Sequence, residues 1–139
     1  MRTAAAVLLL AFLAGCGGGN SREAFVEDAA AVCRKSNERV KALGTPESFT
    51  DTLLYARRAE DAVGDEIDEL RELTPPAEAE EDFNEYLATL EDRRRQLELL
   101  ADAADRNNMA DIQGIGSELD TLTAKARTQA RRAGLAACE

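Results

Sequence analysis

At 139 residues the chain has room for one compact domain and not for two. Hydrophobic residues make up 45% and charged ones 32%, the balance of a globular chain rather than a disordered one. With 27 acidic residues against 17 basic ones the formal charge is −10, which argues against a nucleic-acid partner, because a phosphate backbone requires a basic footprint. Histidine is absent, and with it the commonest acid–base catalyst and metal ligand.

The chain opens with Met1 and Arg2, followed by an uncharged apolar run from Ala4 to Ala14. As a helix that run would span about half of a ~30 Å hydrocarbon core, too short for a permanent span and suited to an export signal. The sequence Leu13-Ala14-Gly15-Cys16 resembles the lipobox of bacterial lipoprotein signal peptides. That resemblance implies cleavage before Cys16 and lipidation of its thiol. Residues 1–15 are then a signal peptide, residues 16–20 a lipidated cysteine and short tether through Gly17, Gly18 and Gly19, and residues 21–139 the domain proper. The implied location is the extracytoplasmic face of a cell membrane, where acyl chains (palmitate among them) act as the anchor.

Assigning Cys16 to lipid leaves Cys33 and Cys138. An exported chain meets an oxidising compartment, so these two are expected to form a disulfide closing a loop of 138 − 33 = 105 residues. The alternative is a pair of free buried thiols. A metal site is not expected, because neither histidine nor a neighbouring cysteine would complete it.

The domain reads as four amphipathic helices, with apolar residues at three- and four-residue spacing and no alternating stretch. The first carries Phe25, Ala29, Val32, Cys33, Val40 and Leu43, with Asn20 and Glu23 as a capping box and Gly44 as the stop. Ser48 and Asp51 start the second, whose stripe is Phe49, Leu53, Ala56, Ala59, Val63, Ile67, Leu70 and Leu73, ended by Thr74-Pro75-Pro76. The third carries Phe83, Leu87, Leu90, Leu97, Leu100, Ala101 and Ala104, breaking at Asn107-Asn108. Asn108 and Asp111 start the fourth, with Ile112, Ile115, Leu119, Leu122, Ala126, Ala130 and Ala133. Gly134 and Leu135 finish it in a Schellman turn. Short connections and seven-residue seams predict an up-down-up-down antiparallel four-helix bundle with one disulfide. The last residues would fold back along the bundle to bring Cys138 to Cys33, leaving the first turns of helix one projecting toward the membrane.

Charge is uneven along the domain. From Glu60 to Asp92 there are fourteen acidic residues against Arg71 alone. The densest part, Glu78 to Glu85, opens helix three, and Lys125, Arg127, Arg131 and Arg132 close helix four. In this topology the two groups share a pole, which predicts cross-helix ion pairs between them. No D-x-[DN]-x-[DN]-G pattern occurs, so the acidic stretch reads as a solvated face rather than a calcium site. A di-metal carboxylate centre fails for want of histidine.

Three further features stand out. Arg93, Arg94 and Arg95 form a dense basic cluster, and Arg94 falls where the Leu90–Leu97 stripe expects an apolar residue. It would lie with its stem over the core and its head in solvent or paired to Asp61 or Asp65, or else face an anionic ligand inside the bundle. Tyr55 and Tyr86 are expected half-buried with wet hydroxyls. Gly114 and Gly116 within helix four suggest a close helix approach in preference to a ligand notch.

Nucleophile elbows, phosphate loops and paired thiol–base motifs are all missing from the sequence. Carboxylate pairs could run glycoside hydrolysis, but a thin bundle offers no cleft for it. The expectation is a membrane-anchored, non-enzymatic interaction or scaffold module with an envelope-protein partner and no cofactor. The alternative is a small-ligand or ion-binding module, with Arg93 to Arg95 or the Gly114–Gly116 region as its site. A cavity with convergent polar groups would favour the latter, and an exposed apolar patch the former.

Overall fold

The computed structural model describes residues 21–139. The apolar leader, Cys16, the glycine tether and the Asn20 cap therefore lie outside the described residues. Four helices run in order: α1 (Arg22–Lys41), α2 (Phe49–Arg71), α3 (Glu80–Asp105) and α4 (Met109–Ala133). A short 3-10 turn, Ala136–Cys138, follows. No strand occurs among the described residues, and no helix there is long and apolar enough to cross a membrane.

Local chemistry sets most of the boundaries. α1 starts at Ser21, whose hydroxyl accepts from the Ala24 amide, one residue later than the predicted Asn20 cap. The Ser48 and Asn108 side chains accept from the amides of Asp51 and Asp111, as their spacing predicts. α2 stops at Arg71, before Thr74-Pro75-Pro76 rather than at it. No side chain caps the start of α3, where Glu80, Glu81 and Asp82 instead place negative charge against the dipole.

α3 and α4 both end in Schellman geometry. Asn107 at φ +52° turns the chain after α3, and the Asn108 amide donates to the Ala103 carbonyl over 2.9 Å. Gly134 at φ +80° does the same after α4, with the Leu135 amide donating to Ala130 over 2.8 Å and the Leu135 side chain buried. An added Cβ at Gly134 would sit 2.9 Å from the Arg22 guanidinium as well as being strained. Arg22 also pairs with Glu78, so the start of α1, the α2–α3 connection and the end of α4 share one pole. The opposite pole holds the α1–α2 and α3–α4 connections.

The bundle is antiparallel but not four-fold even. α2 packs along α3 and α3 along α4, while α1 leans on α2. Cα atoms of α1 and α4 nowhere approach within 8 Å. The seam between them is filled by the C-terminal turn. Cys138 is bonded to Cys33 with their Cα atoms 5.0 Å apart, and Asn37 donates to the Ala137 carbonyl. The core runs from Phe25, which meets Phe83 edge-on at 5.1 Å, through Ile67, Leu70 and Leu90 to Leu97 and Leu100. Alanines at 29, 56, 59, 126, 130 and 133 fill much of the rest, so close helix approach rather than bulky side chains supplies its density.

The ion pairs fall elsewhere than the charge pattern suggests. Helix α1 neutralises the acidic side of α2, through Lys35–Glu69 and Arg39–Asp65, both at 2.5 Å. Among the described residues the basic end of α4 makes no pair with the acidic start of α3; Arg131 instead holds Glu139 at 3.0 Å. The reason is positional: α1, not α4, is the helix that lies over the charged face of α2.

The cross-link closes a 105-residue loop. Replacing both Cys33 and Cys138 by alanine is expected to lower unfolding stability by about 2–5 kcal/mol, read as a shift in the urea midpoint that reductant reproduces in the unaltered chain.

Candidate functional site

The interior is not wholly apolar. Ser36 on α1, Glu66 on α2 and Tyr86 on α3 are all buried and meet in a hydrogen-bonded cluster. The Ser36 hydroxyl donates to one Glu66 carboxylate oxygen over 2.6 Å and the Tyr86 hydroxyl to the other over 3.0 Å. Tyr86 is thus fully enclosed, 1% exposed, against the expectation of a wet hydroxyl. A carboxylate at Glu66 supplies an acceptor strong enough to let the phenol be buried. Tyr55 is half-buried as expected.

Burial pushes Glu66 above the ordinary glutamate value of 4.5, against the opposing pull of its two hydrogen bonds and of Arg93 nearby. Burial likewise pushes Tyr86 up, reinforced by the Glu66 carboxylate. Among the described residues no cation bonds Glu66 directly.

The arginine cluster is arranged differently from its sequence reading. Arg94 is exposed and pairs with Glu60 at 3.7 Å, and Arg95 is exposed beside Asp92. Arg93 is the member that turns inward. It lies seven residues after Tyr86 and seven before Leu100, so it belongs to the second apolar seam of α3 rather than to the Leu90–Leu97 seam. Its Nε is shielded from solvent without a hydrogen-bond partner, and its guanidinium makes no ion pair within 4.0 Å among the described residues. Thr89 Oγ1 and Gln129 Oε1 are also buried without partners.

Arg93 faces a cavity of about 310 Å³ between α1 and α4. The wall residues are Val40 on α1, Val63 on α2, Leu97 on α3 and Leu119, Asp120 and Thr123 on α4. A second cavity of about 540 Å³ continues it to the far pole, past Phe49, Met109 and Ile112. The two share Pro46, Tyr55, Leu100 and Gly116, and so form one groove. Its origin is the missing α1–α4 contact. The C-terminal turn plugs the seam alongside Ala29, Cys33 and Asn37, and the groove opens at Val40, the next turn of α1.

Gly116 stands in the groove wall, and an added Cβ there or at Gly114 would meet nothing within 4 Å. The expected close helix approach at these glycines is therefore absent, since α1 stays away from this part of α4. Ile112, Ile115 and Leu119 are only partly buried for the same reason. In the sequence only Gly116, weighed there as a ligand notch and set aside for close packing, pointed toward the groove, because those isoleucines and leucines have the spacing of ordinary core positions.

A larger cavity, about 660 Å³, lies at the α2–α3 elbow. The Arg71–Glu91 pair in its wall already satisfies itself at 2.6 Å, so that cavity presents less unmet bonding capacity than the groove. Among the described residues no three or more cysteine, aspartate or glutamate side chains gather to hold a metal ion. The chain matches no protein-family model, no curated protein and no solved structure.

Because Glu66 titrates higher in the fold than in the unfolded chain, it contributes stability at low pH that is lost as pH rises through its folded value. Glu66→Gln keeps a carbonyl acceptor for Tyr86 and removes that loss. It is expected to unfold at higher urea than the unaltered chain at neutral pH, the advantage vanishing by about pH 4.

Proposed function

We propose that the protein is a lipid-anchored, non-enzymatic binding module of the cell envelope, tethered through Cys16, whose interhelical groove receives a small molecule. The observation that carries the binding half is the groove itself, two adjoining cavities of about 310 and 540 Å³ lined mainly by apolar side chains. That size and lining are those of small-molecule pockets, with a few polar groups to fix orientation. The anchoring half rests on the Leu13-Ala14-Gly15-Cys16 motif, and the Cys33–Cys138 bond fits an oxidising compartment.

This favours ligand binding over the scaffold role that the sequence suggested first. The exposed large apolar residues, Leu54, Leu99 and Met109, stand on three different helices, and single exposed apolar residues are normal on a monomer. The groove, by contrast, is continuous and carries a half-buried arginine whose Nε lacks a partner. Catalysis has little support: the Ser36 hydroxyl does bond the Glu66 carboxylate, but both are buried with Tyr86 away from solvent, where no substrate reaches them.

Two measurements test the two halves separately. Cys16→Ser is expected to move the chain from the membrane pellet to the soluble fraction; persistence in the pellet would mean another anchor. Gly116→Trp, placed where a side chain meets only open groove, should leave the helical circular dichroism unchanged. It should also abolish any small molecule that native mass spectrometry finds bound to the purified chain.

A further inference from the structure

Resting on that reading of the groove, we infer that its ligand is a single-chain amphiphile with an anionic headgroup, a carboxylate or phosphate, held by the Arg93 guanidinium. The argument starts from an unmet bonding capacity. A guanidinium carries five N–H donors in a fixed fork and stays charged. Arg93 is half-buried, with its Nε shielded from water and without an acceptor, and no carboxylate pairs with it within 4.0 Å among the described residues. Burying a charged donor without an acceptor is costly, so a fold retains one where something else supplies the acceptor.

Two carboxylates are in the neighbourhood and neither fills that role. Glu66 is already bonded by Ser36 and Tyr86, and its burial favours the protonated form. Asp120 lines the same cavity from α4 but is exposed and unbonded to Arg93. A carboxylate or phosphate entering the groove can take two N–H donors of Arg93 side by side, a bidentate match that a lysine ammonium could not offer.

The rest of the groove fixes the other end of the ligand. From Asp120 to Met109 the α4 wall runs eleven residues, roughly 16 Å at 1.5 Å per residue. Beyond Arg93 that length is lined by Leu97, Leu100, Ile112, Phe49 and Met109, with Tyr55 presenting the ring of a half-buried phenol. At the far pole Glu47, Ser48 and Thr52 rim the wall, Ser48 and Thr52 being already bonded within the first turn of α2, so the surface left along the channel is mainly apolar. A medium-length alkyl tail is what such a channel solvates, and the partly buried Ile112 and Leu119 of α4 gain cover from it. Gly116 keeps the channel wide midway along.

The experiment is photolabelling of membranes carrying the full-length chain with a diazirine-bearing dodecanoate, labelled peptides being mapped by mass spectrometry. Label is expected on the segments around Tyr55, Leu100 and Ile112. Dodecanoate or dodecyl phosphate should displace it at roughly ten- to hundredfold lower concentration than dodecanol, the span expected for a charge-assisted pair. Whichever of the two anions competes better identifies the headgroup. Arg93→Met should erase that preference while leaving a diazirine-bearing dodecanol able to label, and Arg93→Lys should keep part of it. Should Arg93→Met fail to fold, the competition series on the unaltered chain decides alone.

If the groove is labelled but dodecanol competes as well as dodecanoate, the anionic headgroup is wrong and the groove reading stands. If the groove takes no label, or none that Gly116→Trp removes, both fall. Displacement by an acidic amphipathic peptide and by no amphiphile would overturn the inference in favour of a partner helix in the groove.

Discussion

The turn carrying Cys138 occupies the seam where α1 and α4 would otherwise meet, and its bond to Cys33 holds it there. Much of the rest follows from that placement. A wedge inserted along the first three-quarters of α1 keeps that helix off α4 over its whole length. The space is filled where the wedge lies and empty where it ends, one turn beyond Asn37. The clasp and the groove are therefore two consequences of one geometry: what closes the bundle at one pole opens it at the other.

The remaining attachments of α1 are made to α2 and α3, and they are of unusual kinds for so small a core. Phe25 meets Phe83 edge-on, Ser36 reaches Glu66, and two surface pairs join Lys35 and Arg39 to the acidic flank of α2. Exposed pairs of that type contribute little individually. Their position matters more than their strength, since they set which side of α2 the first helix covers. Two carboxylates of the acidic stretch that reads as a solvated face in sequence, Asp65 and Glu69, thus stand at the edge of a helix interface.

Helix number, order, caps at Ser48 and Asn108, the Gly134 finish and the cysteine pairing were all legible in the residues. Each depends on chemistry within a few positions or, for the cysteines, on elimination. The groove was not legible, because Ile112, Ile115 and Leu119 have the period of core residues and periodicity records which face is apolar, not whether anything covers it. The arginine cluster was legible, but its inward member was read as Arg94 instead of Arg93, for a related reason. Two seams run along α3, through Phe83–Leu90–Leu97 and Tyr86–Arg93–Leu100, and the inward charge sits in the one that aromatic and polar residues disguise. Tyr86 shows the same limit: its enclosure depends on Glu66, twenty residues away on another helix.

The separation between Cys33 and Cys138 also divides the folding of the domain into two parts. α2, α3 and α4 touch only their neighbours in sequence, so their association requires short loop closures and little entropy. The junction of α1 with the C-terminal turn joins residues 105 positions apart, a far longer closure than any between consecutive helices. A hairpin-like core of three helices can thus assemble on local information, with the first helix docked last and fastened by oxidation. Under reducing conditions the chain would keep most of its helical content and lose the order of its front edge, a split between secondary and tertiary structure that follows from where the sulfur atoms are.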